Sequence, residues 1–279
     1  MTMHCGFQSI VLANSQPLNI RFLEITGAGT PIIVLHPSPL SSRFMQPLMS
    51  VLATEGNRII AWDTPGYGDS DALPSNGGNL HEYADCLREF ITGLGISSAI
   101  IYGNATGAQI AIEFSKLYPA MCERLILENC AIFTDEERAD FFEHYFPDLT
   151  PRADGGHLQV AWKMVNQLFE YFPWYDTSAQ ARLNTPKPDL DVIQATFMDY
   201  LKAGPHYASA YKAALENERP EKLQAVSVTT DIVLWQSSMI HHYCERLRDL
   251  TLPSNIALHR ADAGLAARTE QLCKILRLR

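Results

Sequence analysis

Short apolar runs alternate along this chain with segments whose apolar residues recur every three to four positions. That order belongs to a mostly parallel sheet joined by helices. The runs Asn19–Ile25, Pro31–His36 and Asn57–Asp63 predict strands, and Arg43–Glu55 between the last two has helical spacing. Parallel neighbours need such a crossover. His81–Gly95 places Tyr83, Leu87, Phe90, Ile91 and Leu94 on one helical face, SAIIYG predicts a strand, AQIAIEFSKLYP a helix, and Arg124–Asn129 the next strand.

The pattern then changes. From Asp135 to about Asn217 the chain is rich in aromatics and helix formers, is broken by FPDLTPRADGGH and NTPKPD, and shows no strand period. Strand patterns return at Thr229–Gln236 and Asn255–Ala261, and TEQLCKIL closes the chain as a helix. The division expected is a core over residues 1–134, a helical cap over 135–217 and the rest of the core over 218–279.

Composition narrows the class. The 279 residues, 47% of them hydrophobic, suffice for one sizeable core. A net charge of -9 gives a polyanion nothing to be drawn to, so nucleic acid is not an expected partner. No stretch approaches the roughly 18 apolar residues of a membrane span, and the first residues lack a signal-peptide pattern, so the chain reads as cytosolic. The six cysteines have neither C-x-x-C nor zinc-site spacing, and His241 and His242 are neighbours rather than an i, i+4 pair. TPGYGDSD lacks the third glycine of a dinucleotide fingerprint. No metal or cofactor is expected, and the oligomeric state is not legible.

Three motifs carry a resemblance: LHPSPLSS after one buried strand, WDTPGYGDSD after the next, and GNATG between the strand Ser98–Gly103 and its helix. In their order and separations they resemble the α/β-hydrolase fold with a helical cap, and the similarity covers nearly the whole chain. In that family G-x-S-x-G is a nucleophile elbow, and the resemblance implies a Ser-His-acid triad. Here Ala105 stands in the nucleophile's place, Met239 where the acid would follow Thr229–Gln236, and Leu265 where the histidine would follow the last strand. One engineered alanine would not remove the other two, so the pattern reads as natural loss of the triad.

What remains is the scaffold. The N–H groups at Thr106 open a helix and can hold an oxyanion without a nucleophile. The family's second donor comes from the loop beginning at His36, here Ser38, against the alternative of a serine bonded to its own turn; Pro37 replaces the usual glycine. His36 borders this loop and is expected to hold it by hydrogen bonds. Glu128, ending a strand, is the best-placed carboxylate for acid–base work, against the alternative of an ion pair. His157, after two glycines at a helix start, is the candidate cap histidine, against a structural role, and His206 follows it. Asp63 reads as structural and Cys130 as a buried apolar group. Phe172, Trp174 and Tyr175 of the Pro-broken FPWY are the expected pocket wall. The pocket is expected above the elbow, lined by Ser38, Ala105, His157 and Trp174. It would take a small apolar or aromatic carbonyl compound for lyase, isomerase, cyclase or non-covalent hydrolase chemistry, or else belong to a catalytically dead binding protein.

Overall fold

The computed structural model describes residues 2–13, 15–75 and 77–277. Its eight-stranded sheet has the order β1-β2-β4-β3-β5-β6-β7-β8. The strands are β1 (Met3–Ile10), β2 (Leu18–Ile25), β3 (Gly29–Leu35), β4 (Asn57–Trp62), β5 (Ala99–Asn104), β6 (Cys122–Glu128), β7 (Thr230–Trp235) and β8 (Ile256–Ala261). β1–β2 and β2–β4 pair antiparallel, and every later pairing is parallel. β1 has no counterpart in the strands read from sequence. It is a half-exposed edge, with Phe7 58% exposed, and so lacks a buried run.

Helices α1 (Gln46–Leu52), α2 (Leu80–Gly93) and α3 (Thr106–Leu117) serve as crossovers, and α10 (Leu265–Arg277) closes the chain. Between β6 and β7 lie α4 (Asp135–His144), α5 (Gly156–Leu168), α6 (Leu190–Ala203), α7 (Ser209–Asn217) and α8 (Pro220–Gln224), and α9 (His241–Glu245) follows β7. Apolar clusters cover both faces of the sheet, which explains why β5 is buried along its whole length. Local signals place the helix starts. The Asn79 side chain accepts from the Glu82 N–H at 3.3 Å, and Thr134 and Glu137 form a reciprocal capping box at α4.

Two polar ties hold the helical segment to the sheet loops. Arg43 and Ser41, after β3, both reach the Asp199 carboxylate of α6, at 3.0 and 3.3 Å, and Lys202 pairs with Asp69. Asp63 is structural, as its turn suggests. Its carboxylate accepts from the N–H groups of Ser42 and Asp69, and a Cβ on Gly68 (φ 57°) would lie 2.1 Å from it. Among the described residues no helix is long and apolar enough to cross a membrane, and no group of three His, Cys, Asp or Glu is placed to hold a metal ion.

Candidate functional site

The site grows from the turn between β5 and α3. Ala105 sits there at φ 50°, ψ -114°, a region L residues rarely enter. Its N–H is fixed on the Glu128 carbonyl at 3.0 Å, and its carbonyl accepts from Ala108 at 2.8 Å. The flanking glycines permit this tightness. A Cβ on Gly103 would meet the Gly107 carbonyl at 2.5 Å, and one on Gly107 the Leu35 carbonyl at 2.3 Å. As the first residue of α3, Thr106 has an N–H with no intrahelical acceptor.

Ala105 and Thr106 form part of the wall of a small cavity, about 30 Å³ in volume. The space suits a water molecule or two, not an organic ligand. Its other walls come from Phe133, Phe141, Tyr145, Phe146, Phe172, Tyr211, Leu215, Glu218 and Ile240. The aromatic wall therefore comes mostly from α4 and the residues flanking it, Phe133, Phe141, Tyr145 and Phe146, with Phe172 and, from α7, Tyr211. The Tyr211 hydroxyl donates to that of Tyr145 at 3.0 Å, and burial pushes both phenols well up, which keeps them neutral. No described lining residue is Lys, Arg or His.

Several residues expected at the site are elsewhere. His157 is at the start of α5, where its Nδ1 accepts the Arg152 N–H at 3.0 Å, so it closes the loop before that helix rather than reaching the elbow. His206 is exposed. Of the FPWY cluster only Phe172 lines the cavity. Trp174 turns its indole N–H to the Tyr145 carbonyl at 3.0 Å. Tyr175 lines a separate surface recess with Asp140, Asp176 and Tyr243, its hydroxyl on Asp140. Ser38 Oγ is buried beside the Tyr67 hydroxyl, itself pushed up to about 12 by burial, and Ser38 does not line the cavity.

His36 is locked. Its Nδ1 is 2.9 Å from the Pro37 carbonyl and its Nε2 2.8 Å from the Thr64 N–H, so Nδ1 carries the proton and donates while Nε2 accepts. Burial lowers its pKa, which fits the neutral ring. It joins the loops after β3 and β4 and has no ring nitrogen left for a ligand.

Glu128 fails as an acid–base group for a similar reason. Its side chain takes the guanidinium of Arg268, at 2.9 Å from Nε and 2.7 Å from Nη2, and the Tyr102 hydroxyl as well. A carboxylate so held has no oxygen to spare. Arg268 also lies over the Trp235 ring at 5.3 Å.

The positions read from sequence as the missing acid and histidine lie on the surface. Met239 is 37% exposed and Leu265 67%. After β7 a neutral chain runs from Ser238 Oγ to Asn129 Oδ1 at 2.6 Å and from Asn129 Nδ2 to Asn104 Oδ1 at 2.9 Å. Cys130 is buried, its thiol pushed up to about 12 mainly by burial, which makes it inert.

Glu218 is the group the sequence did not disclose. It ends α7 and is 5% exposed, yet its only sequence cue is an acid before Arg-Pro, which resembles any surface helix terminus. Burial raises its pKa well above the ordinary range, with Arg138 offsetting part of the shift.

The fold finds its counterpart in known proteins, for the family model described as alpha/beta hydrolase fold matches residues 30–215. The chain belongs to the α/β-hydrolase fold family. It is 36% identical over 111 residues to an AB hydrolase superfamily protein of Bacillus subtilis, covering 39% of this chain and 41% of that one. It is 32% identical over 121 residues to a 2-hydroxy-6-oxononadienedioate/2-hydroxy-6-oxononatrienedioate hydrolase of Paraburkholderia phymatum, covering 42% of each. The matched stretches thus span about two fifths of these relatives' length. Among solved structures, an esterase from Exiguobacterium antarcticum superposes with TM-score 0.70 at 19% identity over 97% of this chain and 99% of that one. Potato epoxide hydrolase I does so with TM-score 0.70 at 16% identity over 98% of each. These two establish shared fold alone. The match of this α/β-hydrolase-fold chain to its family model stops before β7 and β8, which precede Met239 and Leu265 respectively.

Proposed function

We propose that this α/β-hydrolase-fold protein is an enzyme working without a covalent nucleophile. It receives the oxygen of a small, uncharged, apolar or aromatic carbonyl compound above Ala105, for lyase, isomerase, cyclase or non-covalent hydrolase chemistry. The observation that carries this reading is Ala105 itself. A non-glycine residue in so sparsely populated a conformation costs on the order of 1–3 kcal/mol, and that cost persists although no nucleophile needs the turn. What the turn still provides is a methyl-sized floor and the Thr106 N–H, aimed where negative charge would develop on an oxygen. The Paraburkholderia relative is named for a dioate substrate, but here the absence of Lys, Arg and His from the described lining favours an uncharged ligand.

The aromatic rings over the elbow must part for such a ligand to enter, because the cavity holds only about 30 Å³. That small volume also favours a second reading, a catalytically inactive member that keeps the fold and binds a ligand or partner. The two separate in one experiment. Small ketones, esters and lactones are screened by thermal shift against the wild-type protein and Ala105→Leu, and each binder is followed by mass spectrometry. Conversion by the wild type and loss of binding in Ala105→Leu are expected. Binders that remain unchanged over many hours would leave the inactive reading in possession.

A further inference from the structure

Glu218 stands out as a buried carboxyl that no donor engages among the described residues, with the buried Arg138 as its nearby cation. Its backbone carbonyl accepts from Arg138 Nη1 at 3.3 Å and from the Phe133 N–H at 3.5 Å, while the side chain of the preceding Asn217 donates to Gln109 Oε1 at 3.0 Å. Gln109 belongs to α3, the elbow helix, so this contact fixes Glu218 relative to Ala105 and Thr106. The carboxyl itself makes no hydrogen bond or ion pair among the described residues, although Glu218 is 5% exposed and lines the cavity. A negative charge on it would add to the burial that already pushes up Cys130, Cys244 and Tyr211. An ionised carboxylate there is costly, and burial raises the pKa well above the ordinary range with Arg138 offsetting part of the shift, which favours the neutral acid. A neutral carboxyl has one O–H to donate and one oxygen free to accept.

Resting on the reading of the elbow cavity as a carbonyl site, we propose that Glu218 is the acid–base group of that site and drives keto–enol interconversion of the bound compound. The Glu218 O–H bond breaks as its proton passes to the carbonyl oxygen. On the neighbouring carbon a C–H bond breaks, and its proton passes to the other Glu218 oxygen. The C–H electron pair becomes the new carbon–carbon π bond, and the former C=O π pair stays on oxygen, forming the new O–H bond. Glu218 ends as it began, a neutral acid, so no second base and no histidine are needed. The Thr106 N–H offsets the charge that builds on the oxygen if the two transfers are not synchronous.

The probe is benzoylacetone, an uncharged aryl diketone whose enol absorbs in the near ultraviolet. It is diluted into buffer with the wild-type protein, and relaxation of the enol band is followed. The wild type should accelerate relaxation, and Glu218→Gln should lower the enzymatic rate by about 100-fold or more while still binding, since general acid–base help is worth that much. Infrared difference spectra should show a protonated-carboxyl band at neutral pH that Glu218→Gln removes. Glu218→Asp, with the acid withdrawn by one methylene, should keep the band and lose most of the rate. If benzoylacetone binds in a way Ala105→Leu blocks, but relaxation is unaccelerated or the acceleration survives Glu218→Gln, the role of Glu218 is overturned and the carbonyl site stands. If it does not bind, or binds regardless of Ala105→Leu, the carbonyl site falls and Glu218's role with it.

Discussion

The guanidinium of Arg268, carried by α10, grips the Glu128 carboxylate at the end of β6 through both its oxygens, at 2.9 and 2.7 Å. The pair is nearly dry, with side-chain exposures of 17% and 3%. Removing one partner strands a buried charge, whereas removing both strands none. Arg268→Ala should therefore cost about 3–5 kcal/mol, and Glu128→Gln together with Arg268→Met clearly less than the sum of the two single changes. Urea unfolding of the full double-mutant cycle measures this. Additive losses would show that the pair adds nothing beyond its separate packing.

Restoring the missing hydroxyl should not restore the family chemistry. In Ala105→Ser the new Oγ would have no histidine to take its proton, because Leu265 points into solvent and His157 is engaged by Arg152. Such help is worth about 100- to 10,000-fold. Turnover of p-nitrophenyl acetate by this variant should stay within tenfold of wild type, and a burst of acyl-enzyme would reveal a base within reach of residue 105.

His157→Ala should be close to silent. It removes one acceptor at a half-exposed loop, worth at most about 1 kcal/mol, and touches nothing at the elbow. Binding constants and any turnover of ligands found by thermal shift should be unchanged. A loss of turnover at constant binding would return His157 to the mechanism.

Glu218 also gives stability a pH dependence of known sign. Its pKa is raised in the folded state, so above the ordinary value of 4.5 the folded chain keeps a proton that the unfolded chain releases, and stability falls with rising pH until the folded group ionises. Glu218→Gln has no such proton. The melting temperature of this variant relative to wild type should therefore climb as pH rises from about 5 to 8. A flat difference would mean that Glu218 is ionised in the folded protein, with the buried Arg138 as the facing cation.

The core of the fold was legible because its signals are local. Buried parallel strands read as apolar runs, the Ala105 elbow as glycines at 103 and 107, and the Asp63 turn as clustered Asp, Pro and Gly. Each rests on backbone sterics that neighbouring residues set by themselves. β1 escaped because an edge strand buries one face at most and needs no apolar run. The site was less legible, since it depends on which distant groups meet. Only assembly of the sheet sets α10 against β6, turning Glu128 from a candidate base into half of an ion pair, and only packing turns Trp174 and Tyr175 away while bringing Phe141, Tyr145 and Tyr211 over the elbow. The sequence determined that no serine nucleophile could act at residue 105. Tertiary structure alone decided which carboxyl would lie beside it unpaired, because desolvation depends on everything packed around a group and is written at no single position in the chain.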